Sequence, residues 1–186
     1  MAQALQLKRK LSTGNGLPMF GAAYTFLGYI RGLWQSHDTI IFLDIDGVLH
    51  SASGENNDFF VDTCCAHLQE IVDLTGASIV LSSMWRLEYR SLFQVNHVLF
   101  SLGLPPVIGV TDHLQGCRRE EEIAKWLDEH PEVKSWIAID DWPLDIDSSA
   151  ASRRMVGHFV RTTPSKGLKE QDVHLAIALM ANQSAV

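Results

Sequence analysis

Asp44 and Asp46 stand two residues apart, directly behind the apolar run Thr39-Ile40-Ile41-Phe42-Leu43 and directly ahead of Gly47-Val48-Leu49. A short run of Ile, Phe and Leu suits a strand buried on both faces of a parallel sheet. Two carboxylates therefore fall where such a strand ends. An extended segment points residues two apart to the same side, and a glycine lets the backbone turn away without crowding a ligand. Two acids held together repel each other unless a cation or a shared proton is present. The pattern asks for a divalent metal, an acid–base pair, or both. In open α/β sheets, ligands bind outside the carboxyl ends of the strands, which is where this pair falls.

Two further apolar runs end in the same way. Ser78-Ile79-Val80-Leu81 leads into Ser82-Ser83, and Trp136-Ile137-Ala138-Ile139 leads into Asp140-Asp141. A parallel sheet brings all three ends to one edge. Each has a plainer reading by itself: a serine here can cap a helix, and the acidic pair can form a turn before Pro143. Polar residues at three strand ends together favour a shared site.

The elements that would position these residues follow from periodicity. Val61, Cys64, Cys65, Leu68, Ile71, Val72 and Leu74 recur at helical spacing, and Gly76 closes that helix. A second helix runs through Leu87, Leu92, Val95, Leu99 and Leu102, and Gly103 and Pro105-Pro106 end it. Val107–Val110 is a weaker third strand. A helix from about Arg119 to His130 turns Ile123, Trp126 and Leu127 inward and stops at Pro131. His158–Thr162 reads as a fifth strand, and a last helix spans about Lys169 to Asn182. Strands alternating with helices imply right-handed crossovers and a parallel sheet. The expected fold is a three-layer α/β/α, Rossmann-like domain over residues 38–186, with a central parallel sheet of about five strands. Residues 1–37 form an N-terminal appendage.

Bulk properties narrow the function classes. The 186 residues are 46% hydrophobic and 20% charged, ordinary for a folded domain with a substantial core. A net charge of −7 gives the whole molecule no general attraction for nucleic acid. The first 37 residues differ, with four bases, Lys8, Arg9, Lys10 and Arg31, and no acid. The apolar stretch Gly16–Trp34 is too short and too broken by glycines for a membrane span. A signal peptide would need a small-residue cleavage site that is not evident, whereas an acid-free start also fits a transit peptide. We read this segment as an extra helix packing on the domain or on a second copy of the chain. The three cysteines form no disulfide framework and no zinc spacing, which fits a reducing, cytoplasmic setting.

The run D-I-D-G-V-L (44–49) resembles the first motif of the haloacid dehalogenase (HAD) superfamily of phosphohydrolases. That resemblance implies Asp44 as nucleophile and Asp46 as general acid/base, the second aspartate marking a phosphatase rather than a dehalogenase or a P-type ATPase. The acid role calls for an elevated pKa. The resemblance continues along the chain. Ser82, with Ser83 as close competitor, matches the hydroxyl that bonds the transferred phosphoryl group. Arg119 matches the basic residue, with Arg118 and Lys125 as alternatives, and departs from the commoner lysine. Of the acidic doublet, Asp141 looks like the metal-ligating member and Asp140 its partner, with Asp145 a further outer acid. The family's metal is Mg²⁺, and Asp44, the backbone carbonyl of Asp46, and Asp141 offer the oxygen-only ligands it prefers. Ile79–Arg86, Gly109-Val110-Thr111, Arg119 before Glu122-Ile123 and Trp126-Leu127, Trp136–Asp141 and Gly167-Leu168 look like a small capless branch that includes phosphatase-like domains found with RNA-repair enzymes. The likeness covers residues 39–180. Ser83, Arg86 and Gly47 complete the expected substrate-binding set, although Arg86 equally suits a structural salt bridge.

The implied activity is Mg²⁺-dependent hydrolysis of phosphate monoesters through an aspartyl-phosphate. Gly47–Leu81 and Ser83–Arg119 are consumed by ordinary elements, so no cap domain is expected. An open site suits a large substrate, a nucleic-acid end or a phosphoprotein, or else a nucleotide or a neighbouring subunit as lid. Two other readings compete. A HAD-like module could bind without catalysis. A signalling receiver also uses an aspartyl-phosphate, but its acidic pair follows the first strand and its phosphorylated aspartate the third, an order this chain does not follow.

Overall fold

A computed structural model of the chain describes residues 37–53 and 59–183. The N-terminal appendage expected over residues 1–37 lies outside them, apart from His37. The strands are β1 (Thr39–Leu43), β2 (Ser78–Leu81), β3 (Gly109–Val110), β4 (Ser135–Asp140) and β5 (Phe159–Arg161). They form one sheet in the order β3-β2-β1-β4-β5, and every pair is parallel. The helices are α1 (Asp62–Thr75), α2 (Tyr89–Ser101), α3 (Arg119–Glu129), α4 (Ala150–Met155) and α5 (Glu170–Gln183), with a 3₁₀ turn at Met84–Leu87.

The apolar runs form central strands because both faces of the sheet are covered. Side chains alternate across a strand. Ile41, Leu43, Ile79, Leu81, Ile137 and Ile139 enter a core shared with α1, α2 and α5. Ile40, Phe42, Val80, Trp136 and Ala138 enter a second core shared with α3 and Met155 of α4. Phe42 stands edge-on to Trp126 at 5.3 Å and to Trp136 at 5.8 Å, the arrangement that aromatic quadrupoles favour. The three-layer α/β/α expectation holds, with five strands.

Local differences have local causes. β3 is two residues long, yet Ile108 and Thr111 donate backbone N–H groups to Ile79 and Leu81 on either side of it. The chain after β2 does not enter a helix directly. Ser83 accepts the Trp85 N–H, a cap that starts the 3₁₀ turn, and α2 begins only at Tyr89. The short α4 has no counterpart in the apolar periodicity. The Ser149 hydroxyl caps it by accepting the Ser152 N–H at 3.0 Å, and Met155 anchors it. No cap domain is inserted among the described residues: the 3₁₀ turn, α2 and β3 fill the interval between β2 and α3. Among those residues no helix is long and apolar enough to cross a membrane.

Candidate active site

The parallel register brings the three polar strand ends together. Leu43 lies opposite both Leu81 and Ile139. Asp44 is still tied into the sheet by its N–H to the Ile139 carbonyl at 3.0 Å, and Ser82 by its N–H to the Leu43 carbonyl at 2.9 Å. Asp140 is the last residue of β4, and its carbonyl accepts from Thr162 N–H at 2.9 Å. The carboxylates thus rest on backbone that the sheet holds rigidly. Asp44 and Asp140 are almost wholly buried.

The first residue of α3 supplies the counter-charge. Arg119 Nη1 lies 2.7 Å from Asp44 Oδ2 and 2.6 Å from Asp140 Oδ2, bridging the two acids. Burial works against the charge on Arg119, but Asp140 and Asp44 outweigh it and raise its pKa. Burial pushes Asp140 up to about 7, and the Asp44 charge adds to this against Arg119. Burial also raises Asp141, and Asp44 again adds to the effect. One cation does not balance these acids. Asp44, Asp140 and Asp141 each offer an oxygen, all within 4.8 Å of one another. An oxygen-only cluster with surplus negative charge fits a hard divalent cation. Within it Asp140 is the most engaged, accepting from Arg119 and, at 2.8 Å, from the Trp142 N–H.

Gly47 makes the approach of Asp141 possible. Its φ is +72°, and a Cβ there would lie 2.3 Å from Asp141 Oδ2. Its carbonyl accepts from the Thr162 hydroxyl at 2.7 Å, which fastens the turn after β1 to the end of β5. Any side chain at position 47 would displace a carboxylate of the cluster.

Asp46 has a different environment. Its Oδ1 lies 2.9 Å from His50 Nε2, and its Oδ2 accepts from Trp85 Nε1 at 3.0 Å. The His50 hydrogen bond holds its pKa below the usual carboxylate value, burial opposes this, and the Trp85 bond adds to the lowering. The direction is opposite to the elevation that a resting general acid calls for, because two donors stabilise the ionised form. His50 and Trp85 were not among the residues expected from sequence. A histidine four residues after an aspartate was the only local signal, and nothing local announces Trp85.

The remaining expected residues separate. Ser83 lines the cleft above the acids, whereas Ser82, equally buried, is not part of that lining. The chain turns into the 3₁₀ segment at Ser83, whose buried hydroxyl accepts the Trp85 N–H at 3.4 Å. Arg86 also lines the cleft, but protein groups engage its guanidinium. Its guanidinium donates to the carbonyls of Thr111, Ser83 and Asp112 and, at 2.6 Å, to Glu122. Its side chain is 1% exposed, and its bonds brace the floor of the cleft. Arg118 pairs with Glu120 and Asp147, and Lys125 with Asp112 and Glu129, so of the three bases only Arg119 is bonded to the acids. Asp145 is exposed, and no bond joins it to the cluster. The cleft encloses about 480 Å³, and Asp44, Asp46, Ser83, Arg119, Asp141 and Trp142 line it.

The arrangement presents a buried carboxylate, a second carboxylate two residues on, a bridging guanidinium and an acidic cluster at one open strand edge. Such a set suits transfer of a charged group with proton movement. A search of curated proteins finds no match to the chain. A family model described as the HAD domain in Swiss Army Knife RNA repair proteins matches residues 40–173, which contain every strand end described above. With its all-parallel sheet and most of its length matched, the chain belongs to that family of HAD domains.

Proposed function

We propose that the protein is a Mg²⁺-dependent phosphohydrolase that cleaves phosphate monoesters through an aspartyl-phosphate on Asp44, and that its substrate is a phosphorylated nucleic-acid end. The observation that supports this most is the single guanidinium shared by Asp44 and Asp140 beside Asp141. It holds the Asp44 carboxylate in place and leaves room for a cation to offset the remaining charge. Asp44 attacks phosphorus, a bond forms from its carboxylate oxygen, and the ester P–O bond breaks. Asp46 hands its proton to the departing alkoxide. Water then attacks the aspartyl-phosphate, Asp46 takes a proton from it, and inorganic phosphate and free Asp44 are regenerated. The His50 bond lowers the pKa of Asp46, so the proton it gives to the alkoxide arrives with the substrate monoanion or from solvent, once the negative charge of the bound phosphate monoester has raised its proton affinity. In this reading a serine at the end of β2, Ser82 or Ser83, and Arg119 hold the phosphoryl oxygens. Asp44, Asp141 and the Asp46 carbonyl would hold Mg²⁺, which would supply electrostatic stabilisation of those oxygens.

The open cleft and the family's association with RNA repair proteins support a polynucleotide end over a small metabolite. Trp142, next to Asp141 and 62% exposed at the mouth, offers a face on which a base can stack. The basic segment within residues 1–37 supports the same reading, or contact with a second copy of the chain. The three cysteines are free thiols, in keeping with a cytoplasmic setting. The test is phosphate release by the full chain with Mg²⁺ from RNA and DNA oligonucleotides phosphorylated at either end, beside nucleoside monophosphates, sugar phosphates and phosphopeptides. Nucleic-acid ends should be the fastest class, and EDTA should stop the reaction. Faster turnover of phosphopeptides or sugar phosphates would overturn the substrate class. Silence across the whole panel would leave the non-catalytic binding module standing.

Proton linkage gives a second check. Asp140 is raised to about 7, so in the metal-free protein it retains a proton that the unfolded chain gives up near the ordinary carboxylate value of 3.8. The folded state then binds more protons than the unfolded state between those limits, and this group's contribution to stability falls as pH rises through that window. A divalent cation needs the carboxylates ionised and displaces the proton. The rise in melting temperature caused by a fixed concentration of Mg²⁺ should therefore be larger at pH 8 than at pH 6. Equal shifts at the two pH values would count against a cation in this cluster.

A further inference from the structure

Asp46 differs from the other carboxylates of the site in being held from behind. Asp44, Asp140 and Asp141 bring their oxygens within 4.8 Å of one another, and Asp46 is not part of that group. Both of its oxygens accept bonds from side chains outside the cluster, Nε2 of His50 at 2.9 Å and Nε1 of Trp85 at 3.0 Å. Even so, the Asp46 side chain is 48% exposed towards the cleft. Each oxygen has a second lone-pair direction left for substrate.

The two donors are themselves fixed. The His50 side chain is 3% exposed. Phe59 and Phe60 stand edge-on to its ring, at 5.1 Å and 5.6 Å between centroids, and Trp85 is tilted against it at 5.7 Å. Trp85 also packs edge-on against Phe60 at 5.4 Å. The Phe60 N–H approaches His50 Nδ1 at 3.5 Å, which assigns the tautomer with hydrogen on Nε2, so that the Nε2–H donates to Asp46. A buried histidine in an aromatic box needs a partner for its ring N–H, and here that partner is a carboxylate in the candidate active site. Residues 4 and 39 positions away along the chain thus converge on one side chain.

We infer that His50 and Trp85 are positioning residues that clamp the Asp46 carboxylate in the attitude from which it passes a proton to the leaving oxygen. The inference rests on the phosphohydrolase reading above. Without the clamp, a carboxylate two residues from Asp44 is free to rotate, either into the cleft or towards the cation site. Proton transfer depends on geometry before anything else, because the donor must lie within hydrogen-bond reach of the atom it protonates. In the step concerned, the Asp46 O–H bond breaks and its proton goes to the ester oxygen as that oxygen leaves phosphorus. The electron pair of the broken P–O bond stays on the oxygen, and the new P–O bond is to Asp44.

This role has a signature that a merely structural one lacks. An aryl oxide with electron-withdrawing groups leaves without a proton, whereas an alkoxide does not. The experiment measures kcat/KM, which covers the steps up to departure of the leaving group, for a series from 2,4-dinitrophenyl phosphate to a simple alkyl phosphate, using the full chain with Mg²⁺. Trp85→Phe removes one N–H and keeps the ring; His50→Leu removes the other donor; His50→Gln retains an amide donor. The alkyl-to-aryl ratio of kcat/KM should fall about tenfold or more in Trp85→Phe and His50→Leu, within the range that general acids supply, and His50→Gln should recover most of it. Thermal unfolding of each variant separates folding defects, and Trp85→Phe keeps the test open if His50→Leu does not fold. An unchanged ratio, whether both esters slow equally or neither slows, would overturn the clamp while leaving the phosphohydrolase reading intact. Wild-type silence towards every ester would overturn that reading and the clamp with it.

Discussion

Replacing Asp44 by Asn should lower kcat/KM for every phosphate monoester by at least about 10⁴-fold, the scale seen when a nucleophile is deleted from a cooperating set. Asn keeps the shape of the side chain and cannot form the acyl phosphate. The fold should survive. Asp44 is buried against Arg119, but Arg119 retains Asp140 at 2.6 Å, so no guanidinium is left alone in the interior. Removing the Asp44 charge also removes one of the causes that raise Asp140 and Asp141. The measurement pairs steady-state kinetics with a melting curve. Activity within tenfold of wild type would remove Asp44 from the nucleophile's role. Lost activity together with a collapsed melting transition would be explained by unfolding instead.

Arg119→Ala should be nearly as damaging and in a different way. Loss of one donor aimed at developing charge costs about 10²–10³-fold in rate, and here the same side chain also holds the proposed nucleophile, Asp44. Its removal leaves Asp44 and Asp140 buried and facing each other. Breaking a buried pair by deleting one partner costs about 3–5 kcal/mol when the remaining charge cannot neutralise itself. Asp140 can neutralise itself by keeping its proton, and without Arg119 its pKa rises further. The loss of stability should therefore be small at pH 6, approach that range at pH 8, and be reduced by Mg²⁺. Arg119→Lys should restore part of the stability and less of the rate, since an ammonium supplies charge without the planar fork. Urea unfolding at the two pH values, with and without Mg²⁺, reads this directly. A stability loss that ignores both pH and Mg²⁺ would mean that Arg119 is not the counter-charge of these acids.

Much of the architecture was legible in the sequence because burial on two faces leaves a plain mark. Thr39–Leu43, Ser78–Leu81 and Ser135–Asp140 are nearly unbroken apolar runs, and runs of that length between helical periods read as central parallel strands. The edges were less clear. β3 pairs through two residues, and α4 is six residues long with little apolar repeat, so each depends on neighbours and caps that periodicity does not register. Ser149, which caps α4, was the available sign.

The candidate site divides along the same line. Asp44, Asp140 and Asp141 could be gathered from sequence because a parallel sheet places consecutive strand ends on one edge, whatever the details of packing. Selection among adjacent residues of like type could not. Arg118 and Arg119 are neighbours, but successive helical residues point about 100° apart, so one turns to Asp147 and the other to Asp44. Ser82 and Ser83 differ by a pleat and the start of a 3₁₀ turn. Arg86 has the chemistry of a phosphate ligand, yet the loop after β3 and Glu122 of α3 take up its guanidinium. The sequence by itself determined the layered fold, the edge at which polar chemistry collects and the carboxylates that meet there, since these follow from strand burial and chain direction. Only the tertiary structure decided which guanidinium neutralises the acids, which serine caps the 3₁₀ turn, and that a histidine and a tryptophan stand behind Asp46. Those outcomes depend on side-chain directions and on contacts between segments far apart in the chain, and local periodicity carries no record of either.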